Sequence, residues 1–127
     1  GISPYKLISK SVLLCTPAPK ERIFRTELSC DFRLVMILSF LLTKGIIVWP
    51  GGMGTLDELF DILTLLQCKK ITRKIPIILF GKSFWNGLVD WQRMIDIGTI
   101  SREDLNLFVI LDDVDESFDY LVKNMQK

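Results

Sequence analysis

The C-terminal two thirds of the chain alternates between short apolar runs and longer segments with helical spacing of apolar residues. The apolar runs predict strands at Ile46–Trp49, Ile75–Phe80 and Phe108–Leu111. The helical spacing predicts helices over Thr55–Cys68, over roughly 84–97 and after Asp113 or Asp115. Gly98 is placed to end the second helix, and Ser101 to cap a short one.

Strand and helix in alternation indicate right-handed β-α-β units, and therefore an α/β protein with a parallel sheet. The first 44 residues are less regular. Within them we predict one further strand at Ser11–Cys15, a loop at Thr16–Lys20 and an apolar, mostly helical stretch at Thr26–Thr43.

The connection between the strand at Ile46–Trp49 and the helix after it is rich in glycine. We expect Gly51, Gly52 and Gly54 to take positive φ and to let a ligand approach the backbone. Such a turn presents N–H groups and the positive end of a helix dipole to an anion. Thr55 adds a hydroxyl, and Glu58 a carboxylate one helical turn further in. The arrangement predicts chemistry on a phosphorylated small molecule.

Two better-known phosphate motifs are absent from this turn. The Walker loop needs a lysine followed by serine or threonine, and no lysine stands here. The dinucleotide fingerprint needs a glycine three residues after Gly54, where the chain has Asp57. A turn without any ligand is the alternative for a generic glycine cluster, but the nine-residue string Pro50–Glu58 is more specific.

This string, P-G-G-M-G-T-L-D-E, resembles the P-G-G-x-G-T-x-x-E signature of the LOG ("lonely guy") family, whose members were formerly labelled lysine decarboxylases. The likeness is good over 45–127 and poor over 1–44, so we treat 1–127 as a single domain, the C-terminal part of the family domain. The resemblance implies a Rossmann-like, three-layer parallel sheet with helices on both faces. Further glycine turns upstream are missing, so we expect an N-terminally truncated or degraded, incomplete sheet of about four strands, bare on one side.

The resemblance also implies a function. Family members are phosphoribohydrolases, which cleave the N-glycosidic bond of a nucleoside 5′-monophosphate of AMP or cytokinin type to free base and ribose 5-phosphate. The same activity is expected here in a homodimer, with no metal and no organic cofactor. Because upstream elements are missing, whether the chain is an active enzyme stays open. The alternatives are an impaired remnant that binds the nucleotide or phosphate without turnover, and a folded element with only a structural role.

Roles for individual residues follow from the same resemblance. Glu58 is the expected catalytic carboxylate, since it can stabilise an oxocarbenium-like ribose; the alternative is a first-turn glutamate that complements the helix dipole. Arg33 is nearest to the arginine of the family pattern R-K-x-x-M. Arg33 lies about two residues further from the turn than the arginine of the family pattern does, which corresponds to about 200° of helix rotation. A solvated helix arginine is therefore the alternative. The expected substrate-binding residues are Gly51, Gly52, Met53, Gly54, Thr55, Leu56, Asp57 and Thr64, the last of which could equally be an ordinary helix threonine.

Composition narrows the range of partners. The formal net charge is +1, so no strong field favours nucleic acid or an anionic membrane, and we expect neither as a partner. There is no histidine, which leaves acid–base work to other groups. Three widely spaced cysteines without a C-x-x-C pair argue against zinc and for free thiols in the cytoplasm. No apolar run has the length of a membrane span.

Two further groups of residues are expected to be structural. Trp85 and Trp91 are predicted to be packing residues. The basic run Lys69, Lys70, Arg73 and Lys74 is predicted to be a solvated linker, in preference to a phosphate or nucleic-acid patch.

Overall fold

The computed structural model describes residues 5–9, 12–15 and 42–125. The strands in these ranges are β1 (Tyr5–Ser9), β2 (Val12–Cys15), β3 (Gly45–Val48), β4 (Ile77–Phe80) and β5 (Val109–Leu111). The α-helices are α1 (Met53–Gln67), α2 (Lys82–Leu88), α3 (Trp91–Ile97) and α4 (Val114–Asn124), and a 3₁₀ helix covers Arg102–Leu107. None of the helices in this part of the chain is long and apolar enough to cross a membrane.

The strands form one sheet in the order β1-β2-β3-β4-β5. β3, β4 and β5 are parallel, with Ile46 opposite Ile77 and Leu79 opposite Ile110, which confirms the predicted α/β class and the parallel C-terminal strands. β1 and β2 differ from the prediction, because β1–β2 and β2–β3 are antiparallel pairs. Ser9 pairs with Val12, and so short a connection cannot make the crossover that parallel strands require.

On the side of β3 away from β4, the sheet continues with β2 and then β1. The described sheet has five strands, where about four were expected. The strand predicted at Ser11–Cys15 is confirmed as β2, whereas β1 was not predicted. The helical stretch predicted at Thr26–Thr43, which includes Arg33, lies almost wholly outside the described residues.

Helices cover both faces of the parallel strands, as predicted. On one face, α1 and Trp85 complete a buried cluster with the strand residues Ile46, Val48, Ile77 and Leu79. On the other face, Leu121 of α4 packs against Ile78 and Leu111. Alternate residues of β3 and β4 thus enter different clusters, which is why each strand is a continuous apolar run in the sequence.

The segment predicted as one helix over 84–97 is two helices. Val89 is extended, with φ −119° and ψ 124°, and Asp90 then caps α3 by accepting a hydrogen bond from the Arg93 N–H at 3.0 Å. Gly98 ends α3 with φ 92°, as predicted. The cap at Ser101 is also confirmed, since its N–H donates to the Asp104 carboxylate at 2.9 Å.

Both tryptophans in this region are packing residues, as predicted. Trp85 is fully buried, and its Nε1–H donates to the Phe80 carbonyl at 3.1 Å. Trp91 packs between two phenylalanines, with ring centroids 6.2 Å from Phe60 and 4.6 Å from Phe108. Together these rings fix α2 and α3 against the edge of the sheet and α1.

Candidate functional site

The carboxyl ends of the three parallel strands bring their following connections to one edge of the sheet. The Gly81 N–H after β4 donates to the Leu111 carbonyl of β5 at 2.8 Å. The Lys82 N–H donates to the Asp112 carboxylate, which follows β5. The turn that starts at Pro50 follows β3 at the same edge. Open α/β sheets bind ligands outside the carboxyl ends of their strands, so this edge is the candidate site.

The N-terminus of α1 lies at this edge of the sheet. Its N-cap is Gly52, and no side chain caps the helix there. The first intrahelical bond runs from the Leu56 N–H to the Gly52 carbonyl at 3.1 Å, so the N–H groups of Met53, Gly54 and Thr55 precede it. These N–H groups and the positive end of the helix dipole suit an anion such as a phosphate.

The backbone conformation of the glycines in the turn differs from the prediction. Among the described residues, positive φ occurs at Gly81, Gly98 and Lys69, and not at Gly51, Gly52 or Gly54. The expectation of positive φ at the turn was wrong because α1 begins at Met53, so that Gly54 already has helical geometry. Apart from its immediate neighbours in the chain and the backbone of α1, a Cβ added at Gly52 or Gly54 would meet no atom of the described residues within 4 Å. These glycines therefore leave the backbone uncovered by the described part of the chain.

Gly81 is the glycine at this edge that does need its conformational freedom, and the sequence analysis gave it no role at the site. Its φ is 105°, and a Cβ there would lie 3.4 Å from Cγ of Pro50. This distance is an ordinary van der Waals contact, so the positive φ is what requires glycine, and the β4–α2 connection lies beside the start of the β3–α1 turn. A glycine directly after the second parallel strand was the available sequence signal.

Thr55 and Glu58 share one face of α1, because residues three apart on a helix are neighbours. Both are buried, with exposed fractions of 5% and 4%. Asp57, by contrast, is exposed. Removing a carboxylate from water is costly, so the burial of Glu58 is typical of a functional group rather than of a solvated one.

The alternative role for Glu58, complementing the helix dipole, fits the structure poorly. α1 begins at Met53, so Glu58 lies in the second turn of the helix. The dipole effect falls off within the first turn. The carboxylate is thus better placed to act on something bound at the helix N-terminus than to stabilise the helix.

The other predicted site residues do not all lie at the glycine turn. Met53 is 90% exposed at the mouth of the turn, and Leu56 packs against the core. Thr64 lies about 13 Å further along the helix axis than Thr55, and its hydroxyl donates to the Phe60 carbonyl at 2.7 Å. The structure does not bring Thr64 to the turn, and its role as a ligand contact stays a prediction. Arg33 lies outside the described residues.

The described residues contain no group of three or more cysteine, aspartate or glutamate side chains that could hold a metal ion. Cys68, at the end of α1, is an exposed free thiol. Neither observation adds a cofactor to the candidate site.

A family model described as "Possible lysine decarboxylase" matches residues 31–121. This range contains the whole glycine turn, the three parallel strands and Arg33. The chain belongs to this family. The resemblance to the LOG family that the nine-residue string indicated is thereby confirmed.

Two curated relatives are both named cytokinin riboside 5′-monophosphate phosphoribohydrolase. The protein of Mycobacterium marinum is 31% identical over 75 residues, which are 58% of this chain and 40% of the relative. The protein of Mycobacterium tuberculosis is 34% identical over 77 residues, 59% of this chain and 40% of the relative. Each alignment therefore spans less than half of the relative's length.

Proposed function

We propose that this chain hydrolyses the N-glycosidic bond of a nucleoside 5′-monophosphate of AMP or cytokinin type at the start of α1. The observation that carries the proposal is the buried carboxylate of Glu58, which lies in the second turn of α1. No side chain caps the N-terminus of this helix. The names of the two mycobacterial relatives support the choice of reaction.

The 5′-phosphate is bound, in this proposal, by the first N–H groups of α1. Gly52 and Gly54 leave the backbone uncovered, and the Thr55 hydroxyl lies on the same helix face as Glu58. Charge-assisted hydrogen bonds of this kind are shorter and stronger than neutral ones. Binding the phosphate here fixes the ribose near the carboxylate, which is an orientation effect.

Glu58 then acts on the ribose. As the bond between C1′ and the base nitrogen breaks, positive charge develops on the ribose, and the carboxylate stabilises it. The oxygen of a water molecule bonds to C1′, and a proton from the water goes to the departing base. The products are free base and ribose 5-phosphate. The chain has no histidine, so a carboxylate is the fitting residue type to orient the water.

Release of free base from AMP and from a cytokinin riboside 5′-monophosphate tests the proposal directly. We expect Glu58→Gln to lower kcat/KM by about 10²–10³-fold, the usual cost of one lost charge stabiliser. Glu103→Gln is the matched control, because it makes the same chemical change at an exposed glutamate of the 3₁₀ helix, away from the turn, and should leave the rate within about twofold. Base release by the parent no faster than by Glu58→Gln would contradict the proposal.

Calorimetry with ribose 5-phosphate separates the enzyme from a chain that binds without turnover. Saturable binding together with base release supports the proposal. Saturable binding without base release would favour the impaired nucleotide-binding remnant, and absence of binding would exclude both.

We also propose that the chain forms a homodimer, as the family resemblance implies. Light scattering on the purified chain should then give twice the mass of 14.6 kDa. A mass of one chain at micromolar concentration would contradict this part of the proposal.

A further inference from the structure

We propose a second ligand site, at the edge of the sheet opposite the glycine turn, for a small organic anion with an apolar body. A cavity of about 300 Å³ lies there, between the end of α1, the linker that follows it, the segment before β4, and Tyr120 of α4. α1 starts at the carboxyl edge of β3 and ends at this cavity, so the length of the helix separates the two sites. Nothing in the proposed hydrolysis uses this cavity.

The floor of the cavity is apolar and anchored in the core. It is formed largely by Leu66, Ile71, Ile75 and Leu107. Ile71 and Ile75 are 6% and 3% exposed and belong to the main core cluster. A floor held by core residues is preformed, so a ligand does not have to order it on binding.

The rim of the cavity is cationic. Lys69, Arg73 and Lys74 line it, together with the polar side chains of Thr72, Asn106 and Tyr120. No aspartate or glutamate of the described residues is among its lining residues. An apolar floor under a rim of one sign of charge is complementary to a ligand with an apolar body and one anionic group, such as a phosphate or carboxylate.

The backbone conformation of Lys69 permits a specific variant. Lys69 has φ 57°, and it is the one residue other than glycine with positive φ in the described ranges. It follows the last turn of α1, where the N–H groups of Lys70 and Ile71 donate to the Leu65 carbonyl at 2.9 and 3.2 Å. Glycine is the usual residue at such a left-handed position after a helix. A lysine there is less favourable than glycine, so replacing Lys69 by glycine removes its charge without destabilising the end of the helix.

The linker also contains a lysine, Lys70, that serves as a control for Lys69. The basic run was predicted to be solvated, and Lys69, Lys70 and Lys74 are indeed exposed. Lys70 does not line the cavity, although it is adjacent to Lys69 and carries the same charge. A site in the cavity should therefore depend on Lys69 and not on Lys70, whereas a diffuse electrostatic effect should depend on both equally.

The first experiment titrates the ¹⁵N-labelled chain with phenyl phosphate, and with inorganic phosphate and phenol as probes that lack the apolar body or the charge. We expect saturable amide shifts in 69–75 and at Asn106 with phenyl phosphate. Each control probe should bind at least about tenfold more weakly, since it lacks one of the two recognition elements. Shifts confined to the turn at Gly51–Thr55, no saturable shifts, or equal affinity for inorganic phosphate would overturn the proposal.

The second experiment compares Lys69→Gly with Lys70→Ala. Lys69→Gly relieves the left-handed strain, so its Tm should be no lower than that of the parent, while phenyl phosphate should bind about tenfold more weakly. Lys70→Ala should bind within about twofold of the parent. Equal weakening by both variants, or no weakening by Lys69→Gly, would show that the cavity is not a site.

Discussion

The N-terminus of α1 and the N-termini of the other described α-helices are built in opposite ways. Asp90 caps α3, and Asp113 caps α4 by accepting from the Glu116 N–H at 2.8 Å. The first N–H of α2 donates to Asp112. α1 starts at Gly52 without a side-chain cap. α3 and α4 thus carry their own carboxylate at the positive end of the dipole, and α2 receives one from Asp112 after β5, whereas no side chain caps α1.

Under the proposed function, this difference separates helix ends that only stabilise the fold from the one that binds the phosphate. A carboxylate at Gly52 would satisfy the helix, but it would also occupy the N–H groups and repel a phosphate. The sequence places its buried carboxylate in the second turn instead, at Glu58. The comparison can be tested at each of these helix ends and at the glycine that supports the open one.

Gly81→Ala should have the largest effect on stability. A Cβ at φ 105° is strained and would touch Pro50, so we expect a loss of about 1–2 kcal/mol in the free energy of unfolding. Gly54→Ala is the matched control. It adds a Cβ in open space within a helix, and should stabilise by about 0.5–1 kcal/mol. Urea denaturation measures both, and losses of equal size would contradict the distinction between the two glycines.

Asp90→Ala should remove the cap of a structural helix and nothing else. We expect a loss of about 1 kcal/mol in the free energy of unfolding, because the Arg93 N–H loses its acceptor. The affinity for ribose 5-phosphate should not change, since α3 does not contribute to the glycine turn. A fall in affinity without a fall in stability would show that the capped and open helix ends do not have separate roles.

Asp104→Asn should have the smallest effect, and a pH-dependent one. Hydrogen bonds from the Ser101 backbone and then from the Gln67 side chain lower the pKa of Asp104 in the folded chain. The contribution of ionised Asp104 to the free energy of unfolding is therefore fully present above the ordinary aspartate pKa. It is lost as the pH falls through the lower pKa that Asp104 has in the folded chain. We expect a deficit of about 0.5 kcal/mol at pH 7 that disappears in acid. Glu103→Gln, at the neighbouring exposed carboxylate, is the control; a deficit independent of pH would contradict the assignment.

Local sequence patterns predicted most of the fold because local interactions decide it. Ser101 with Asp104, Gly98 after α3 and Asp113 before α4 each act within a few residues, and each is where the pattern placed it. Continuous apolar runs predicted β3, β4 and β5, since both faces of these strands are covered by helices.

Local sequence patterns could not predict the features of the fold that depend on residues far apart in the chain. The antiparallel pairing of β2 with β3 is decided by residues far apart in the chain, and apolar content alone does not encode direction. The break at Val89 depends on the competing cap at Asp90. The close approach of Gly81 to Pro50 joins two separate turns. At the candidate site, the string Pro50–Glu58 predicted the turn into a helix N-terminus but not the negative φ of its glycines, and binding of an anion there stays a prediction.

The most direct test converts the open end of α1 into a capped one. Gly52 has φ −102°, and a Cβ there meets no atom of the described residues within 4 Å apart from its neighbours in the chain, so Gly52→Asp is compatible with this part of the fold. Gly52→Asn is the neutral control, which can cap without adding charge. Calorimetry with ribose 5-phosphate should show about a hundredfold loss of affinity for the aspartate variant and a smaller loss for asparagine, at unchanged or higher Tm. If ribose 5-phosphate binds Gly52→Asp as tightly as it binds the parent, the phosphate does not bind at this helix end.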